Sequence, residues 1–167
     1  MCWRIIKSIR FVDMTEYDEE LRRGLWNRLR TVSGKDKDSF RLDAAGALIE
    51  WSKYGKHSPN GWQIDHACPK KILEENGIEV KDMDAIEDLR PFNTANNEKK
   101  GDEFPKYTRA VFYNEKTDKN EEDGTFSYIV NRQVQKDVMK HFGLPITLFG
   151  DGHKKTANDI IQYLERQ

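Results

Sequence analysis

Residues 62–66 read WQIDH, and residues 88–102 read DLRPFNTANNEKKGD. In the first stretch Trp62 and Ile64 alternate with polar residues and Pro69 follows shortly, which predicts a short strand ending on the acid–imidazole pair Asp65-His66. In the second, residues 86–92 read as another strand, since Pro91 is tolerable near a strand end or on an edge. Asn93 or Thr94 then supplies a side chain to cap a helix running to Lys100, and Gly101 stops it. Between the two lies KKILEENG (70–77), a short helix ended by Gly77. The order strand, long connection, strand, helix points to an α+β fold.

Upstream, Thr15 with Asp18 three residues later reads as a capping box, and Leu21, Leu25, Leu29 and Val32 recur at helical spacing. They predict a helix over 15–32, ended by Ser33-Gly34. KDKDS (35–39) is a solvated loop, and RLDAAGALIEW (41–51) is read as extended because of Gly46. Downstream, YTRAVFYN (107–114) and TFSYIVN (125–131) read as the two arms of a hairpin around the loop EKTDKNEEDG. Helices are expected at about 131–142 and 156–166.

The 167 residues suffice for one domain with a real core. No uncharged apolar run approaches the ~18–20 residues that span a bilayer, and MCWRIIKSIR is too interrupted by Arg and Lys for a signal peptide. A cytoplasmic protein is the expectation. Cys2 and Cys68 form no C-x-x-C pair, which argues against a structural zinc site. The net charge of −1 argues against adhesion to DNA by bulk electrostatics. That charge is unevenly spread. Residues 61–105 hold 6 Lys/Arg against 11 Asp/Glu, whereas residues 1–60 hold 12 against 9 and residues 106–167 hold 10 against 9. An acidic segment around Asp65 suits a cation better than a bare phosphate.

An imidazole can deprotonate water, and one carboxylate with one amide oxygen is enough protein ligation for Mg²⁺, which keeps several waters. Asp65, His66 and Asn97 supply those groups if the strand–strand–helix unit folds back on itself. Adjacent residues in a regular strand point to opposite faces. The pair can therefore share a site only from a strand end or a bulge.

These residues resemble the HNH endonucleases, the His-Me finger or ββα-metal family. The resemblance rests on Trp62, Ile64, Asp65 and His66, then Asp88-Leu89-Arg90-Pro91, then Asn97-Glu98-Lys99-Lys100-Gly101-Asp102. The spacing is nine from Asp88 to Asn97 and three from Asn97 to Lys100. The lead-in LWNRLRTVSGKDKDSFRLDAAGALIEWSKYG is also similar to small bacterial and phage members. The likeness covers about 25–105 and says nothing of the last sixty or so residues.

The resemblance implies a ββα-metal core with an N-terminal helix, over 1–105. Residues 106–167 would form a hairpin and helical extension packed on the same domain. It implies a DNA endonuclease, double-stranded DNA being favoured, with Mg²⁺ or Mn²⁺ held by Asp65 and Asn97 and His66 as general base. Lys100, and with it Lys99 and Arg90, would contact nucleic acid. Asp88 stands where the family has its middle Asn. It keeps an acceptor but loses the amide donor, and either orients His66 or adds charge near the metal. Twenty-one residues separate His66 from Asp88, more than is common in small members. The alternative is an inactive HNH-fold protein that binds nucleic acid or protein as an inhibitor or effector. The extension 106–167 is a candidate for docking a partner or a second copy.

Several conspicuous residues have a structural reading instead. Arg41 and Asp43 are expected as an ion pair, Trp51, Trp62 and Tyr54 as core, and Cys68 as core filler. His57, His141 and His153 have no neighbours at metal-ligand spacing.

Overall fold

The computed structural model describes residues 17–125, 128–129 and 132–144. Helix α1 spans Glu19–Trp26, with the Asp18 carboxylate capping the Leu21 N–H at 2.8 Å. Thr15, the expected cap, lies outside the described residues. The helix is shorter than the predicted 15–32, and beyond Trp26 the chain continues in turns that close on the Leu25 and Trp26 carbonyls. Arg41 Nη1 donates to the Leu29 carbonyl at 2.7 Å, and Arg30 makes a β-bridge with Leu42. The apolar spacing of Leu29 and Val32 therefore reflects packing without helix.

Strands β1 (Phe40–Leu42) and β2 (Leu48–Glu50) pair antiparallel, confirming extended structure in 41–51. Their turn is organised by Asp43, whose Oδ1 accepts the N–H groups of Ala45 and Ala47 at 2.9 and 2.8 Å. Gly46, at φ +89°, completes it in a conformation that L side chains rarely adopt. A single 3₁₀ turn at Trp51–Lys53 then leads to Gly61. A Cβ on Gly61 would stand 1.9 Å from the Lys56 carbonyl oxygen, so only glycine lets the chain pass there.

The next segments build the unit that positions the site. Strand β3 (Trp62–His66) pairs antiparallel with β4 (Leu89–Asn93) in unbroken register, from Trp62 opposite Asn93 to His66 opposite Leu89. Their connection carries α2 (Lys70–Glu75) and a 3₁₀ turn at Val80–Asp82. Helix α3 (Thr94–Lys100) follows β4 directly, its Asn93 cap accepting from the Ala95 N–H at 3.0 Å. Expected strand 86–92 thus begins three residues late, and the strand, strand, helix order stands.

The two expected arms of the C-terminal hairpin pair only at their outer ends. Strand β5 (Tyr107–Thr108) pairs with β8 (Tyr128–Ile129), whereas β6 (Val111–Asn114) pairs with β7 (Lys119–Glu122) inside the charged stretch read as loop. The turn between β6 and β7 is closed early by Asp118, at φ 55°, whose carboxylate accepts from Tyr113 Oη at 2.6 Å. Helix α4 covers Arg132–Phe142, close to the expected 131–142, and the helix expected at 156–166 lies outside the described residues.

Three apolar clusters hold these pieces together. Trp26, Ile49 and Trp62 join α1, β2 and β3, with Trp51 and Tyr54 against them and ring centroids 4.8–5.6 Å apart. Ala67, Cys68, Leu73 and Met83 of the β3–β4 connection meet Val138 and Met139 of α4. Ala45, Phe92 and Tyr107 form the third. The extension therefore shares a core with the connection that follows His66. No helix among the described residues is long and apolar enough to cross a membrane.

Candidate active site

Because β3 keeps its register to the last residue, Asp65 and His66 turn to opposite faces of the pair. Each finds a separate set of partners. On the α3 side Asp65 is 6 % exposed. Its Oδ2 lies 2.9 Å from both Nε and Nη2 of Arg90, directly across the strand pair, and its Oδ1 lies 3.2 Å from Lys100 Nζ. Lys100 is 2 % exposed and also donates to the His66 carbonyl at 3.0 Å. One carboxylate thus neutralises a buried guanidinium and shares a buried ammonium. Burying charge is tolerable only when it is paired and bonded in this way.

On the other side, His66 Nε2 is 2.8 Å from Asp84 Oδ1. That same oxygen accepts from Tyr17 Oη at 3.1 Å and lies 3.2 Å from Lys70 Nζ. Burial pushes the Asp84 carboxyl up, but the bonds from His66, Lys70 and Tyr17 outweigh it and hold its pKa below the usual carboxylate value. An ionised carboxylate only accepts, so His66 Nε2 carries the proton and Nδ1 is the basic nitrogen. Desolvation lowers the imidazole pKa despite the Asp84 bond that raises it. His66 is therefore a neutral base at neutral pH.

Asp88 is fully buried beneath the loop that follows His66. Its carbonyl accepts the Ala67 N–H at 2.8 Å and its Oδ1 accepts the Cys68 N–H at 2.7 Å. These bonds brace the loop, and among the described residues Asp88 makes no hydrogen bond or ion pair with His66. Asn97 is partly buried on α3, one turn before Lys100, and belongs to neither set; Lys99 is exposed. Lys100 and Arg90, the latter 6 % exposed, are both enclosed.

The donor chemistry of Asp65 and Asn97 suits a hard cation, but the arrangement does not. Both Asp65 oxygens already face cations, and a divalent ion added there would stand beside two buried positive groups. Among the described residues no three His, Cys, Asp or Glu side chains converge on one point.

Two groups escaped the sequence reading. Asp84 and Lys70 flank His66 from the connection, with only the general acidity of 61–105 to signal the former. Asp43 and Asn96 form the other: Asp43 Oδ2 accepts from the Asn93 N–H and Asn96 Nδ2 at 3.0 and 3.2 Å. Arg41 takes no part, donating instead to the carbonyls of Lys37 and Leu29, so the expected Arg41–Asp43 pair is replaced by two separate sets of bonds.

Fold and site together define an α+β protein whose β3–β4–α3 unit carries a carboxylate-held histidine at a strand end. No protein-family model, curated protein or solved structure matches this chain.

Proposed function

We propose that this chain is an HNH-type endonuclease that hydrolyses phosphodiester bonds in DNA, with His66 as general base. One observation carries the reading. His66 ends the first strand of a strand–strand–helix unit, and an ionised Asp84 holds its Nε2, leaving Nδ1 to take a proton from water. The resemblance seen in WQIDH and DLRPFNTANNEKKGD supplies the substrate class. Asp84 fixes the tautomer and plane of the ring, and Asp88 braces the loop behind it. A water beside Nδ1, in line with the leaving 3′-oxygen, gives its proton to Nδ1 as it attacks the phosphorus. The P–O3′ bond breaks, and the departing oxygen takes a proton from solvent water.

A second reading, a protein that keeps the unit and binds without cutting, is favoured by the use of Asp65 and Lys100 in a buried ion network. It predicts DNA or protein binding that ignores Mg²⁺ and EDTA, with no strand cleavage.

Supercoiled-plasmid cleavage separates the two. Wild type and His66→Ala are compared in Mg²⁺, in Mn²⁺ and in EDTA, with thermal unfolding confirming that the variant is folded. Loss of the base should slow nicking by roughly 10²–10⁴-fold, the range of general acid–base catalysis. An unchanged rate in His66→Ala rules out this assignment, and the EDTA arm reads the metal requirement directly.

A further inference from the structure

A nuclease needs a cation at the scissile phosphate. Of the three residues first expected to supply it, Lys100 and Arg90 are enclosed. Lys99 is exposed on α3 and is not among the partners of Asp84 and His66. Lys100 has its ammonium against Asp65, the His66 carbonyl and the Gly101 carbonyl, and Arg90 is pinned to Asp65. A chain with a net charge of −1 also has no bulk positive field to draw the backbone in. The phosphate contact therefore has to come from an individual exposed cation beside His66.

Resting on the nuclease reading, we infer that Lys70 is the phosphodiester-binding cation of the His66 site. Its side chain is 49 % exposed, whereas that of Lys100 is 1 % exposed. Lys70 Nζ and His66 Nε2 meet the same Asp84 oxygen, at 3.2 and 2.8 Å, so the two nitrogens lie no more than ~6 Å apart. An ammonium has three donors, and Asp84 uses one, which leaves two to reach a phosphate oxygen. Lys70 opens α2 immediately after Pro69, whose ring fixes φ at −55°. The base and the cation are in this way carried by two elements and tied by one carboxylate, with Tyr17 Oη as its third donor.

The test measures binding of a fluorescein-labelled 25-base-pair duplex by anisotropy between 50 and 200 mM NaCl. All proteins carry His66→Ala so that the DNA stays intact. Adding Lys70→Ala should weaken binding several-fold and reduce the slope of log Kobs against log[NaCl] by about 1, the signature of one lost phosphate contact. Lys70→Arg should retain the slope. An unchanged slope in Lys70→Ala overturns the role of Lys70. If the wild-type protein still nicks plasmid in a His66-dependent way, the nuclease reading survives that result. A His66→Ala protein with no affinity for the duplex at 50 mM NaCl overturns the inference about Lys70 as well. Whether the nuclease reading falls with it is then read from wild-type plasmid cleavage.

Discussion

Asp88 braces the loop after His66 through its backbone carbonyl and one carboxyl oxygen. These accept from Ala67 and Cys68, but Oδ2 is buried with no partner. Burial pushes its pKa up to about 7, against an ordinary 3.8, with the nearby Asp65 charge adding to the shift. The folded chain thus keeps a proton that the unfolded chain releases, so stability is full below about pH 4 and is lost as pH rises towards 7. Asp88→Asn removes that titration and keeps the Oδ1 acceptor for the Cys68 N–H. We expect it to be more stable than wild type by ~1–3 kcal/mol at pH 8, where the buried carboxylate is charged, with the gap closing near pH 4. Urea unfolding at both pH values measures this, and parallel curves for the two proteins across pH would refute it.

Helix α3 illustrates what a sequence conceals at the scale of an element. In NTANN (93–97) three asparagines look alike, yet they do three different things. Asn93 was legible as a cap because capping is local, its Oδ1 meeting N–H groups two and three residues on. Asn96 was not, because its partners come from distant chain. Its Nδ2 donates to Asp43 and to the Val111 carbonyl, and its Oδ1 accepts from Ala110 and Val111 at 2.8 and 2.9 Å. One buried amide thereby ties the β1–β2 turn, α3 and the start of β6. The same limit holds for the helix drawn too long at 15–32, since Arg30 pairs with Leu42 in a β-bridge, a partner outside its own segment. Asn96→Ala should cost ~2–4 kcal/mol in urea unfolding, because it strands several buried groups that each carry a penalty of ~1–3 kcal/mol. Asn97→Ala, which removes none of these bonds, should cost under ~1 kcal/mol. Equal losses in the two variants would show that Asn96 does not bear the junction.

Across the whole molecule, the acidity of 61–105 was visible, but its purpose was not. The excess suggested a place for a metal ion. Two of its carboxylates have partners within the fold, Asp65 between Arg90 and Lys100, and Asp84 among His66, Lys70 and Tyr17. No single stretch could reveal this, because Arg90 and Lys100 meet Asp65 only once β3, β4 and α3 have closed. The two roles make opposite predictions for the stability of the metal-free protein. A carboxylate kept only as a metal ligand is unpaired without its ion, so deleting it relieves repulsion or changes nothing. A carboxylate that neutralises two buried cations leaves them uncompensated when removed, at ~3–5 kcal/mol. We therefore expect Asp65→Ala, unfolded by urea in EDTA, to lose ~3–5 kcal/mol. His66→Ala on the same strand should lose far less, since Asp84 is half exposed and keeps Lys70 and Tyr17 as donors. Because EDTA removes any metal contribution, a stable Asp65→Ala protein would show that the ion network is dispensable and would return Asp65 to the role of a ligand.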